Sequence, residues 1–479
     1  MKEYKEILDL LATKQIKGIC FNSKEVEKGF LFVAQEGTLV DGHNFIKDAI
    51  EKGAKYIVCQ RVPEDLGKNK AIIKKAQFFI VKNSSEALGY IASEFYDNPT
   101  KHLKVIGITG TNGKTTTVTL LHNLFMFLGF KTGLISTIVN KINNTEIKAT
   151  HTTPDAISLN KLFSEMVLCG CEFVFMEVSS HSVVQNRIAG VHFAGGIFSN
   201  ITHDHLDFHK TFAEYIKAKQ RFFTKLPKTA FALTNLDDKN GEIMLQNTKA
   251  KKYTYSLKTI SDFHAIVLEN GFEGQLLNID GIELWTKLIG RFNAYNILVI
   301  YSTALLLGLK KEETLRGISM LNSAQGRFEC ISTSKGTRAI VDYAHTPDAL
   351  LNVIQTINQI REGKGRLITV VGCGGDRDKT KRPIMAKISA DMSDISIFTS
   401  DNPRGENPDD ILKDMGKGIQ ILNNKNILTI TNRSEAIKTA CVLANAGDII
   451  LVAGKGHETY QEVNGIRHHF DDKEELLKY

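Results

Sequence analysis

A chain of 479 residues, 42% hydrophobic and 24% charged, is too long for one ordinary domain and too apolar for disorder, so two to four globular domains are expected. Its net charge of +7 is small for this length and is not gathered into a basic arm, which suits polyanionic small molecules at least as well as nucleic acid. The charged start MKEYKEILDLLATKQ lacks a signal-peptide core, no stretch nears the roughly 18 apolar residues of a membrane helix, and the seven scattered cysteines show no zinc spacing, so a cytoplasmic protein with reduced thiols is expected.

Residues 1–98 carry short apolar runs (GFLFVA, AKYIVC, AQFFIV) between charged or glycine-containing turns, the pattern of a small mixed α/β domain. Asn98-Pro99, within Tyr96–Thr100, is the predicted boundary. From Lys104 the order becomes strand (KVIGIT), glycine loop (GTNGKTT) and long helix (TVTLLHNLFMFLG). The runs CEFVFMEV, GGIFSNI and TAFALTN then alternate with helical stretches, which predicts a parallel sheet covered by helices across residues 99–328. Short alternating stretches between about 250 and 290 read as an antiparallel flap. Residues 329–479 offer the strands RAIVDYA, RLITVVG, DISIFTS, NILTITN and DIILVAG, with helices over 347–360 and 434–446. They predict a second doubly wound, Rossmann-like α/β domain.

Nearly every unusual polar cluster directly follows an apolar run. GTNGKTT, EVSSH, SNITHDH and TNLDD lie in the middle segment; DYAHTPD, GCGGDRDK, SDNPRGE and AGKGHE lie in the last. Open parallel sheets bind ligands at the carboxyl ends of their strands, so an active site between two domains is expected.

Gly110-Thr111-Asn112-Gly113-Lys114-Thr115-Thr116 sits between a strand and a helix, where backbone N–H groups and the helix N-terminus can close around phosphates. Lys114 would contact the β- and γ-phosphates and Thr115 would ligate Mg²⁺. The generic phosphate-loop spacing requires glycine at 108, and the chain has isoleucine there. GTNGKTT is instead the compact variant typical of Mur ligases and folylpolyglutamate synthetases.

With the motifs that follow it, the whole chain resembles the Mur ligase family. FNSKEVEKGFLFVAQEGTLVDGHNFI resembles the family's uridine-binding segment, which implies Ser23 as a nucleotide contact; Asn22-Ser23-Lys24 replaces the usual Asp-Ser-Arg. His151-Thr152-Thr153-Pro154, Glu177-Val178-Ser179-Ser180-His181 and Gln185-Asn186-Arg187 resemble loops that hold the muramoyl-peptide. The resemblance implies contacts from Thr152, Thr153, Ser179, Gln185 and Arg187, with Glu177 a metal ligand off a strand end. In NITHDHLD, His205 matches a ligand of a second metal, whereas His203 and His209 match nothing and are expected on the surface. In YIKAK, Lys219 rather than Lys217 matches the lysine carbamylated by CO₂. Two Mg²⁺ sites built from Thr115, Glu177, His205 and carbamylated Lys219 are therefore implied. Asn293, Asn296, Arg327 and Asp342 resemble the remaining ATP-binding set.

The loop Asp401-Asn402-Pro403-Arg404 resembles that of family members adding meso-diaminopimelate, whose distal carboxylate suits the planar fork of an arginine. Arg377, Gly454 and Glu458 match the other amino-acid contacts. The implied activity is an ATP-dependent, ADP-forming ligation of meso-diaminopimelate to UDP-N-acetylmuramoyl-L-alanyl-D-glutamate through an acyl phosphate, by a monomer needing neither membrane nor nucleic acid. The competing readings are a lysine-adding ligase, a folylpolyglutamate synthetase and a P-loop switch or motor. The last would require a Walker-type aspartate where the strand ends in Glu177.

Overall fold

Short apolar strands need cover, and every strand of the amino-terminal sheet but the edge strand Gln77–Ile80 is buried throughout. The computed structural model describes residues 4–37, 40–332, 336–419 and 426–479, so residues 1–3 of the charged start and 38–39 of the uridine-type segment lie outside the described residues. Strands β1 (Ile19–Cys20), β2 (Leu31–Val33), β3 (Tyr56–Cys59) and β4 (Gln77–Ile80) form a parallel sheet in that order. The helix Ser84–Phe95 shares its core with Ala156 of the next segment, through Ala87, Leu88 and Ile91.

The middle segment builds one eleven-stranded sheet. Its strands are β5 (Lys104–Thr109), β6 (Thr132–Ile135), β7 (Val139–Ile142), β8 (Thr145–Lys148), β9 (Phe173–Glu177), β10 (Phe193–Phe198), β11 (Phe231–Asn235), β12 (Lys251–Ser256), β13 (Phe263–Gly271), β14 (Gly274–Ile279) and β15 (Ile282–Thr286). The spatial order is β15-β14-β13-β12-β11-β10-β5-β9-β6-β7-β8. Alternation along β5 sorts the core. Ile106 and Ile108 join the helices Lys114–Phe127 and Arg291–Leu306 on one face, and Val105 joins Phe163 and Phe222 on the other. Each fully buried side chain of this size contributes about 1.5–3 kcal/mol. Between 250 and 290 the flap is smaller than expected: β12 and the start of β13 extend the parallel sheet, and β13–β15 pair antiparallel, as β6–β8 do at the opposite edge.

The last segment folds as β16 (Glu329–Ser332), β17 (Arg338–Asp342), β18 (Leu367–Cys373), β19 (Ile395–Ser400), β20 (Ile427–Thr429) and β21 (Ile449–Ala453). They are ordered β16-β17-β21-β18-β19-β20, parallel except for the edge strand β16. A separate hairpin, β22 (Tyr460–Val463) and β23 (Ile466–His469), follows. The α/β class expected for both large segments, a sheet of mostly parallel strands covered by helices, is what forms. All seven cysteines are free thiols.

Candidate active site

The carboxyl ends of β5, β9 and β10 converge on one cleft of about 660 Å³, whose other wall comes from the last segment. The phosphate loop is braced before any ligand arrives. The Asn112 amide donates to Asn200 Oδ1 at 2.9 Å, and Asn200 Nδ2 and Ser199 Oγ both donate to the Asn112 carbonyl. Glycine is required at both hinge positions. A Cβ on Gly110 would lie 1.9 Å from Ser199 Oγ, and Gly113 has φ +85° with Asn296 Oδ1 2.8 Å from its would-be Cβ. Gly110 to Thr116 all line the cleft, followed by the helix N-terminus at Lys114.

Lys114 Nζ donates back to the carbonyls of Gly110 and Thr111, each at 2.9 Å, and Lys219 Nζ donates to the same Gly110 carbonyl at 2.7 Å. Burial lowers both amines, and Lys219 falls well below the ordinary lysine range chiefly through burial, with the like charge of Lys114 adding to it. Glu177, buried at the end of β9, accepts from Thr115 Oγ1 at 2.8 Å and from the Thr137 amide through Oε1. Its buried Oε2 has no partner among the described residues. A carboxylate oxygen left bare beside a threonine hydroxyl fits a hard divalent cation. His205, with φ +54°, faces Asp204 at 3.4 Å. Desolvation in the cleft wall pushes its imidazole down to about 4 against the pull of Asp204, so it is neutral and able to ligate. Burial works to raise Asp204, but His205, His345, Lys381 and Lys114 outweigh it and hold the carboxyl below its usual range.

Asn293 and Asn296 are buried and bonded to one another, and Thr117 Oγ1 donates to Asn296. Arg327 reaches Thr115 Oγ1 at 3.2 Å and stacks on Tyr343. Burial raises Asp342 to about 6, opposed by Arg327 and by the Phe328 amide that donates to it. Thr152 and Ser179 line the same cleft. Thr153 lies just behind them, bonded to the Glu177 carbonyl, while Arg187 donates to the Thr153 carbonyl and Gln185 caps the short helix Ser180–Val184. Ser23 is not brought to this cleft; it sits buried on a turn beside β1.

A second cleft of about 340 Å³ shares Thr152, Asp204, His205, Tyr343 and His345 with the first, so the two open onto each other. It is lined by Arg377, Asp401, Asn402, Arg404, Gly454 and Glu458. Asn402 Nδ2 donates to Glu458 Oε2 at 2.7 Å, and Arg404 Nη1 to the Gly375 carbonyl at 2.9 Å. Burial and Asp401 raise the Glu458 carboxyl, with Lys455 and Asn402 opposing. Arg377 is exposed at the rim. Pro403 does not line the cleft; its carbonyl accepts the Glu406 amide and closes the turn.

One expectation is overturned. His203 is exposed, but His209 is buried, with Nε2 2.8 Å from Ser180 Oγ, because the turn after NITHDHLD folds its ring under Tyr215. Sequence reasoning also missed Thr137, Asn200, His345 and Asp348. Thr137 follows β6, whose four residues TGLI gave too short a signal. Asn200 and His345 sat inside quoted polar clusters, and position after a strand was the available clue.

Fold and clefts together define a three-domain P-loop enzyme whose nucleotide cleft opens onto a second, charge-lined cleft at a domain boundary. Residues 15–96 match the pattern described as "Mur ligase family, catalytic domain", residues 108–304 "Mur ligase middle domain" and residues 326–456 "Mur ligase, glutamate ligase domain". The chain is 56% identical over 458 residues to the UDP-N-acetylmuramoyl-L-alanyl-D-glutamate--2,6-diaminopimelate ligase of Cytophaga hutchinsonii, covering 96% of this chain and 93% of that one. It is 55% identical to the protein of the same name from Phocaeicola vulgatus, covering 97% and 95%. A solved structure of a ligase of that name superposes with TM-score 0.68 at 31% identity, over 96% of this chain and 93% of the other. The chain belongs to the Mur ligase family.

Proposed function

We propose that this chain is the ATP-dependent, ADP-forming ligase that joins meso-2,6-diaminopimelate to UDP-N-acetylmuramoyl-L-alanyl-D-glutamate during peptidoglycan precursor synthesis. The observation that carries the reading is the convergence of Arg404, Asn402 and Glu458 on a cleft that opens directly beside the phosphate loop. Arg404 offers a fork for the distal carboxylate, and Glu458 with Asn402 offers acceptors and a donor for the distal amino-acid group. The relatives cited above carry the same activity in their names.

A carboxylate is a poor electrophile, and ATP removes that obstacle. A carboxylate oxygen of the UDP-linked dipeptide attacks the γ-phosphorus, the bond to ADP breaks, and an acyl phosphate forms. Lys114 exchanges its two loop carbonyls for the γ-phosphate oxygens and follows the charge as it moves. The free amine of the amino acid then attacks the acyl carbon, inorganic phosphate leaves, and the amine proton passes to solvent. Asn293, Asn296, Arg327 and Asp342 hold the nucleotide, while Thr152, Thr153, Ser179, Gln185 and Arg187 hold the muramoyl-peptide and Ser23 its uridine. The last segment, bearing Arg377, Asp401, Pro403 and Gly454, presents the amino acid and excludes water from the acyl phosphate.

Thr115, Glu177, His205 and Lys219 would hold Mg²⁺ at two positions, and the ions when bound would neutralise phosphate charge. Lys114 and Lys219 share one carbonyl in a buried site, which disfavours charge on both and leaves Lys219 towards its neutral form. Carbamylation of Lys219 starts from that form: the neutral amine adds to CO₂, one N–C bond forms, a proton is released, and an anionic oxygen ligand results. We place the enzyme in the cytoplasm as a monomer, serving cell-wall growth, shape and division; no described helix is long and apolar enough to cross a membrane. The test is ADP release with the UDP-linked dipeptide and a panel of amino acids. Turnover should require meso-diaminopimelate. Faster turnover with lysine would replace this reading with the lysine-adding one.

A further inference from the structure

Lys455 lies between Gly454 and Gly456 just past β21, with no exposure to solvent. A buried ammonium is costly unless each proton finds an acceptor. Here each does: Nζ donates to Asn402 Oδ1 at 3.2 Å, to Glu458 Oε2 at 3.3 Å and to the Tyr460 carbonyl. An ammonium has three donors and no acceptor, so nothing remains for a substrate. Lys455 therefore acts on its neighbours.

Its neighbours are the amino-acid contacts. Asn402 Oδ1 accepts from Lys455 and from the Glu462 amide at 2.9 Å. Two donors on one oxygen settle which way the Asn402 amide faces, and its Nδ2 is thereby committed to Glu458 Oε2. Glu458 spends Oε2 on Lys455 and Asn402, leaving Oε1 without a hydrogen bond among the described residues. The same hub reaches Arg404. The Glu462 carbonyl accepts the Arg404 amide at 3.0 Å, and the Asn464 amide donates to the Arg404 carbonyl at 2.7 Å. These bonds hold Arg404 at φ +51°, a conformation an arginine adopts only when its surroundings impose it. Lys455 also binds the first residue of this hairpin, Tyr460, through its carbonyl. One buried cation thus ties Asn402, Glu458 and the hairpin under Arg404 into a single unit.

We infer that Lys455 is a specificity-determining positioning residue: it sets the directions of Asn402 and Glu458 and, through the β22–β23 hairpin, the seat of Arg404. The inference rests on the proposed function in that these three residues read the incoming amino acid. The experiment is steady-state kinetics of full-length Lys455→Met and Lys455→Arg, varying each of the three substrates in turn. Lys455→Met should raise KM for meso-diaminopimelate roughly ten- to hundredfold and lower its preference over lysine, with KM for ATP and for the UDP-linked dipeptide within about threefold of wild type. Lys455→Arg should recover part of the loss. Lys455→Met/Asn402→Ala should be no worse than about twice the poorer single variant, because both act through one unit. Equal loss for all three substrates, or multiplying factors in the double variant, would overturn the inference. If Lys455→Met does not fold, Lys455→Gln, which keeps two donors, must show the same selective rise in KM. Should wild type use another amino acid, the proposed substrate fails by itself, and Lys455 must then move KM for that amino acid alone.

Discussion

Lys217 and Lys219 are two residues apart on the helix Phe212–Thr224 and have opposite environments. Lys217 is exposed and paired with Glu214 at 2.8 Å; Lys219 is buried against the phosphate loop. Lys219→Ala should be nearly inactive, with formate or another small carboxylate restoring part of the rate, and Lys217→Ala should match wild type in the same ADP-release assay. An exchange of those phenotypes would overturn the assignment of Lys219 as the metal-ligating lysine. Lys114→Ala should abolish ADP formation while the UDP-linked substrate still binds by calorimetry, because Lys114 lies at the phosphate loop and Ser23 on a turn of the amino-terminal segment, away from that cleft. Arg404→Ala should lose about 1.5–3 kcal/mol of transition-state binding for meso-diaminopimelate, on the order of ten- to a hundredfold in kcat/KM, and little of any activity with lysine. Equal damage to both substrates would make Arg404 structural. Residues of this kind were legible because motif order named them. Lys455 was not, since a lysine between two glycines carries no sign of burial, and neither was His209, whose burial depends on how its ring packs against Tyr215 of the next helix and Ser180 of an earlier one.

At the scale of elements, period and punctuation exposed the long strands and their helices, whereas β6 and the β7–β8 hairpin were too short to register. β6 nonetheless anchors the helix Lys114–Phe127, because its Thr132 hydroxyl lies 2.7 Å from His122 Nδ1 in the core. Burial, with Lys141 adding to it, pushes His122 down to about 4. An unfolded imidazole takes its proton near 6.5 and the native one only near 4, so between those values the unfolded state holds more protons. Stability therefore falls as pH falls from about 6.5 towards 4, by about 3 kcal/mol from this residue, and no further below it. His122→Asn keeps a partner for Thr132 and cannot titrate. Urea melts at pH 7.5 and 4.5 should show a smaller acid loss for the variant than for wild type. Equal acid losses would mean that His122 is protonated in place or hydrated.

Across the whole molecule, the side chains that meet over the phosphate loop are far apart in sequence. Asn112 Nδ2 donates to Asp348 Oδ2 at 2.8 Å across 236 residues, and Arg327 Nη2 to Thr115 Oγ1 at 3.2 Å across 212. No pattern in the sequence could pair Asn112 with Asp348; the match exists only once β5 and the helix Pro347–Arg361 face each other across the cleft. Asp348 lies in the first turn of that helix, where its charge is favoured by the helix dipole, although burial raises its carboxyl above the usual range. Removing it should cost one hydrogen bond to a charged group, about 1.5 kcal/mol, and shift the balance towards an open arrangement by roughly tenfold. Asp348→Ala should therefore lower kcat/KM for ATP about tenfold and increase the ligand-free radius of gyration in solution scattering, while calorimetric affinity for the UDP-linked dipeptide stays unchanged. Asp348→Asn keeps an acceptor for Asn112 and should fall between the two. Loss of ATP efficiency with unaltered scattering would instead place Asp348 among the nucleotide contacts.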